Sequence, residues 1–208
     1  MKGRLVTVEG GEGAGKSSVM GALRGALEQR GIEVVQTREP GGTDAGEAIR
    51  LLLLDPAYAP CAEAELLLMF AARAQLVREL VRPALDRGAW VLSDRFSDAS
   101  FAYQGGGRGI DGGIISELER WAAGIKPDLT FLLDVEVRQG HARLAGRKGE
   151  RDRIERERED FFERVRAVYL QRASAEPRRF RLIDAGASQD AVLRSVLEAL
   201  EHAVAEWT

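Results

Sequence analysis

The chain has 208 residues, 45% hydrophobic and 30% charged, with 30 basic side chains against 33 acidic ones and a net charge of −3. That balance fits one globular domain spanning residues 1–208 and excludes a disordered polyelectrolyte, a general nucleic-acid binder as partner, and, with no run near 18 apolar residues, a membrane helix. Cys61 is the sole cysteine and His141 and His202 are far apart, so neither a disulfide nor a zinc cluster is expected.

In chain order, residues 4–8 form a short apolar strand that ends at Gly10, with no secretory h-region before it, so a cytoplasmic location is expected. Residues 16–30 carry apolar positions at helical spacing and stop at Gly31. A β-branched strand follows at 32–36 and a helix at 44–53, ending before Asp55-Pro56. A long helical stretch spans about 62–87, bent or restarted by Pro83. Strands are expected at 89–93, 129–133 and 180–183, and a closing helix at 189–207. The helix after the third strand is interrupted by a glycine loop at 105–109. Strands separated by helices require crossovers, which means an α/β fold with a five-stranded parallel sheet and helices on both faces.

Gly10-Gly11-Glu12-Gly13-Ala14-Gly15-Lys16-Ser17 matches G-x-x-x-x-G-K-[ST] and lies between the first strand and the first helix. Glycines let successive N–H groups turn toward phosphate oxygens, and the helix N-terminus adds its positive end. Lys16 then reaches the β- and γ-phosphates of ATP, the Ser17 hydroxyl ligates Mg²⁺, and Ser18 stands beside them in the first helical turn. The alternative is a glycine turn with an accidental lysine. No N-K-x-D guanine-reading motif occurs, and the chain is short for an ATPase core with a partner domain, so a small phosphotransferase is favoured over a switch protein.

The third strand runs into Asp94-Arg95, at the edge where ligands of parallel sheets bind. Asp94 suits Mg²⁺, directly or through water, and Arg95 suits a bidentate grip on an acceptor phosphate; the pair also suits a plain helix cap. Phe70 and Arg73 share a helix face and fit a nucleobase by stacking and hydrogen bonding, although a Phe in such an apolar run is more often core.

The phosphate loop, TREPGGT at 37–43, LMFAAR at 68–73, Asp94-Arg95, YQGGGRG at 103–109 and DRIE at 152–155 occur in one order and spacing. Together they closely resemble bacterial thymidylate kinases, along essentially the whole chain. The resemblance implies a nucleotide-kinase form of the phosphate-loop three-layer sandwich, with a small lid at about 143–158. It implies transfer of the γ-phosphoryl group of MgATP to dTMP, giving dTDP and ADP for dTTP synthesis, by a homodimer. By the same resemblance Glu12 meets the sugar 3′-hydroxyl or the metal shell, Phe70 stacks on thymine and Arg73 bonds its carbonyl edge. Arg95, helped by Arg50, holds the acceptor phosphate near Glu39 and Pro40. Ser100 and Gln104 face the base, and Tyr103 crowds the sugar 2′ position. Phe96 stands where the family commonly has Tyr or His, and Ser100 where relatives often carry Thr or Asn.

Residues 143–158 hold seven basic and four acidic side chains. A solvated helix face is the ordinary reading of such a run. The phosphate loop carries Glu12 and no arginine, however, so charge on the transferring group needs cations from elsewhere. The resemblance makes Arg153, within DRIE, a catalytic lid arginine, with Arg143, Arg147 and Arg151 as further candidates. Asp134, after the fourth strand, is expected to be structural.

Overall fold

In the computed structural model, which describes residues 2–145 and 152–207, one sheet holds β1 (Leu5–Gly10), β2 (Val34–Arg38), β3 (Trp90–Asp94), β4 (Leu129–Asp134) and β5 (Phe180–Asp184). Every pairing is parallel and the spatial order is β2-β3-β1-β4-β5. The helices are α1 (Lys16–Gln29), α2 (Asp44–Leu54), α3 (Ala62–Leu76), α4 (Arg82–Asp86), α5 (Ser97–Ser100), α6 (Gly112–Leu118), α7 (Val137–Ala145), α8 (Glu159–Ala175) and α9 (Gln189–Trp207). Stretches of π-helix at Val77–Val81, Phe101–Gly107 and Glu119–Ala123 continue α3, α5 and α6.

Period-two alternation sorts the strands' side chains onto two faces. Val6, Val8, Trp90 and Leu92 pack against Val19, Leu23 and Leu27 of α1 and Val196 and Leu200 of α9. On the opposite face Leu5 and Val91 meet Leu76, Val77 and Val81, while Leu132 and Phe180 meet Phe161, Phe162 and Val165 of α8. That second face also carries a buried polar seam. Thr7 and Thr130 share a 2.8 Å hydroxyl bond, and Asp98 accepts from Arg172 and Arg179. Such groups are tolerated inside only because each has partners. The seam runs under the sheet toward the strands' carboxyl ends, where the site lies.

One expectation is corrected. Residues 105–109 do not all form a loop, because the π-helix runs to Gly107. A Cβ on Gly106 would lie 2.8 Å from the Arg164 carbonyl, and one on Gly107 2.4 Å from the Phe161 ring. These glycines serve close approach to α8 rather than a turn. Pro83 falls in the first turn of α4, just after the π-helical stretch, so the long helix restarts there as expected.

Candidate active site

Because all strands run the same way, Gly10, Arg38 and Asp94 arrive together at one edge of the sheet. They open on a cleft of about 540 Å³. One wall is the phosphate loop from Glu12 to Ser17, and a second is Arg38, Glu39, Pro40 and Arg50. Asp94, Arg95, Ala99, Tyr103 and Gln104 form the third, with Leu54, Met69, Arg143, Asp152, Ile154 and Glu155 at the margins.

Gly10 and Gly11 lead into the loop, and Gly15 caps α1 in the left-handed region at φ 89°. Gly13 is also left-handed, and a Cβ there would sit 2.1 Å from the Gly140 carbonyl of α7. Ala14 is buried. Lys16 Nζ donates to the Gly11 carbonyl at 3.0 Å and the Gly10 carbonyl at 3.3 Å. Burial first, then Arg95, lower its pKa, and an anion bound beside it would favour the charged ammonium again. Ser18 lies on the other side of the loop, in a second cavity of about 330 Å³ bounded by Gly13, Ala185, Ser188 and Gln189.

Arg95 is the one non-glycine residue with positive φ (71°) among the described residues. Its left-handed turn is held from several sides. The Arg95 N–H donates to the Val8 carbonyl (3.0 Å), the Phe96 N–H to Glu9 Oε1 (2.7 Å), and Ser93 Oγ to the Arg95 carbonyl (2.6 Å). The guanidinium then donates to Glu12 Oε1 (2.7 Å), Tyr103 Oη (2.9 Å), Tyr169 Oη (3.2 Å) and the Gly10 carbonyl (3.0 Å). Strain of this kind persists only where surroundings over-determine it, as here. Tyr103 Oη also donates to Glu12 at 2.8 Å, which fixes the ring against the cleft. Beneath, Tyr169 donates to Glu9 Oε2 at 2.7 Å, and burial, with Asp98 nearby, pushes the Glu9 carboxyl up to about 8.

Arg50 donates to the Pro40 carbonyl at 2.9 Å, and Arg38 pairs with Glu47. Both line the same cleft as Arg95. Arg38 was not among the expected site residues. The signal for it was positional, because it is the last residue of β2, within TREPGGT. Asp94 Oδ1 is buried without a hydrogen-bond partner. With the Ser17 hydroxyl it offers the hard oxygen donors that Mg²⁺ takes, phosphates and water completing the shell. Among the described residues no group of three or more His, Cys, Asp or Glu side chains could hold a metal by itself.

Arg73 and Ser100 lie one layer behind the wall. Arg73 is fully buried, donates to Glu39 Oε2 (2.8 Å), Ser100 Oγ (3.0 Å) and the Phe96 carbonyl (3.1 Å), and stacks 4.5 Å from the Phe70 ring. Burial raises the Glu39 pKa against this pairing, and Glu39 Oε1 is left unpaired. Phe70 itself packs with Leu66, Phe101 and Ile115 and does not line the cleft; Met69 does. The apolar run around Phe70 is thus core in this structure.

The arginine segment divides. Arg143, on α7, donates to the Ala185 carbonyl at 2.7 Å and lines both cavities. Arg147 and Arg151 fall outside the described residues. Arg153 does not face the phosphate loop: it pairs with Glu65 at 2.5 Å and donates to the Leu53 carbonyl at 2.8 Å, while its N–H reaches the Leu54 carbonyl. Asp134 holds Arg166 through both oxygens, as a structural residue should.

A phosphate loop and three arginines lining one cleft fit a phosphate-loop phosphotransferase with a phosphorylated acceptor. A profile of the thymidylate kinase family matches residues 8–196. The thymidylate kinases of Chromohalobacter salexigens and Alkalilimnicola ehrlichii are 56% and 51% identical, over 99% of this chain and 99% and 96% of theirs. The crystal structure of thymidylate kinase from Ehrlichia chaffeensis superposes with a TM-score of 0.79 at 31% identity, covering 97% of this chain and 99% of that one. The chain belongs to the thymidylate kinase family.

Proposed function

We propose that this cleft is where the chain transfers the γ-phosphoryl group of ATP to dTMP, giving dTDP and ADP for dTTP synthesis. The observation that carries the reading is that Lys16 and three arginines, Arg38, Arg50 and Arg95, line a single cleft, with Lys16 and Arg95 meeting at the Gly10 carbonyl. The γ-phosphate rests in the loop under Lys16, and the adenosine part extends into the cavity beside Ser18, Arg143 and Gln189. The acceptor phosphate sits on Arg95, Arg50 and Arg38. One of its oxygens attacks phosphorus in line, forming the new P–O bond as the bond to the ADP oxygen breaks. No general base is needed, since the acceptor is already ionised. Mg²⁺ brought with ATP would be held by Ser17 and Asp94, there to neutralise charge on the β- and γ-oxygens. In this reading Glu12 steers Arg95 and the sugar, and Tyr103 fills the space a ribose 2′-hydroxyl would need.

Several finer parts belong to the same reading. Residues 1–208 act as a single nucleotide-kinase domain with a lid near 143–158, whose Arg143 approaches the phosphates, with Arg147 and Arg151 as further candidates. Arg73 and Phe70 back the thymine pocket rather than line it, Ser100 bracing Arg73, and Arg153 anchors the lid's C-terminal end. Exposed Leu51, Leu67, Ile114 and Trp121 on α2, α3, α6 and the π-helical stretch that continues it support a homodimer. No described helix is long and apolar enough to cross a membrane, and a cytoplasmic enzyme is the reading kept.

Separate losses test the two half-sites. Lys16→Ala should lower kcat by about 10²- to 10³-fold while leaving dTMP affinity within about threefold. Arg95→Ala should weaken dTMP binding by about tenfold or more and weaken ATP binding less, since Arg95 also bonds Glu12 and the Gly10 carbonyl. Near-normal turnover in the first variant, or equal loss of ATP and dTMP affinity in the second, would sink the assignment.

A further inference from the structure

Gln104 lines the cleft yet is almost completely buried, and its two amide ends have different fates. Nε2 donates to Glu65 Oε1 at 2.9 Å. Oε1 is a buried oxygen with no hydrogen-bond partner. An amide is free to choose which end it presents only if its neighbours can both donate and accept. Glu65 removes that choice. Its side chain is 1% exposed and is clasped by Arg108 (3.1 and 3.2 Å) and Arg153 (2.5 Å). Although burial opposes ionisation, Gln104, Arg108 and Arg153 together hold its pKa below the usual value. A carboxylate accepts and never donates, so only the NH₂ end of Gln104 can turn toward it.

We propose that Glu65 is a specificity-positioning residue: by fixing Gln104 with its NH₂ inward and Oε1 outward, it makes the base pocket demand an N–H donor. Thymine and uracil carry such a donor at ring position 3, where cytosine presents a lone pair. A cytosine edge would therefore leave Oε1 unsatisfied and set two lone pairs against each other, which is a costly arrangement in a buried site. Arg153 and Arg108 have a part in this. They keep Glu65 ionised, and Arg108 also holds Glu157 at 2.5 Å, so the C-terminal part of the lid region is tied to the same carboxylate that orients the base contact. The inference rests on the reading that Gln104 faces the base.

The test is kcat/KM for dTMP, dUMP and dCMP in wild type, Q104L, E65Q and the double variant. Q104L should lower the dTMP-to-dCMP ratio by about tenfold. E65Q should lower it comparably, chiefly through KM for dTMP, with dUMP following dTMP and KM for ATP unmoved. The double variant should be no worse than Q104L alone. If Q104L leaves the ratio intact, the base reading of Gln104 fails and the inference with it. If Q104L lowers the ratio but E65Q does not, or E65Q lowers it further in the Q104L background, the positioning role alone is overturned. Should E65Q fail to fold, wild-type enzyme with N3-methyl-dTMP decides: binding at least about tenfold weaker than dTMP is expected, and equal binding contradicts the proposal.

Discussion

Glu9 departs far from its ordinary chemistry. It is a fully buried carboxyl on β1, bonded to the Phe96 N–H and the Tyr169 hydroxyl, and it titrates at about 8 against 4.5 for an unperturbed group. Between those values the folded chain retains a proton that the unfolded chain has lost. Stability from Glu9 is therefore complete below about pH 4.5 and declines as pH rises toward 8, by up to about 1.4 kcal/mol per unit. Glu9→Gln keeps the hydrogen-bonding shape without the titration. Denaturant unfolding from pH 5 to 8 should show the variant gaining on wild type as pH rises; a constant difference between them would contradict the shift. The same residue shows why part of the site is hidden from the sequence. A glutamate in VEGG reads as the end of a strand, and only the fold reveals that it clamps the turn presenting Arg95.

Among the elements, the phosphate loop depends on α7 as much as on its own glycines. Gly13 and Gly140 touch backbone to backbone, and a Cβ on Gly140 would lie 2.3 Å from the Glu12 carbonyl. Backbone cannot swing aside as a flexible side chain can. Gly140→Ala should raise KM for ATP by about tenfold and lower Tm by several degrees, measured by initial rates and thermal melts. Unchanged values would mean that the loop does not need this contact. Strand and helix order was legible because buried parallel strands are short apolar runs between helical patterns. Boundaries slipped where periodicity carries no mark: β2 is Val34–Arg38 rather than 32–36, since Ile32 is a core residue that precedes the strand. Gly105, Gly106 and Gly107 read as a loop because composition cannot tell a turn glycine from one that admits a neighbouring helix.

At the scale of the whole molecule, charge placement was the most deceptive signal. Residues 138–181 carry 14 basic and 8 acidic side chains, which suggests a confined anionic ligand. Much of that charge is spent inside the fold. Arg166 binds Asp134, Arg172 and Arg179 bind Asp98, and Arg153 binds Glu65. Among the described residues of the segment, Arg143 is the arginine on the cleft wall. The phosphate loop and Asp94-Arg95, by contrast, were legible from local order alone, because each needs only a strand end and a turn.

The account is tested most directly by ADP release with MgATP and a panel of dTMP, dUMP, dCMP, dGMP, AMP and thymidine. Strong turnover with dTMP, weaker turnover with dUMP and little with the others is predicted. Turnover led by another acceptor would contradict the base pocket, and ADP release indifferent to every acceptor would contradict phosphoryl transfer in this cleft.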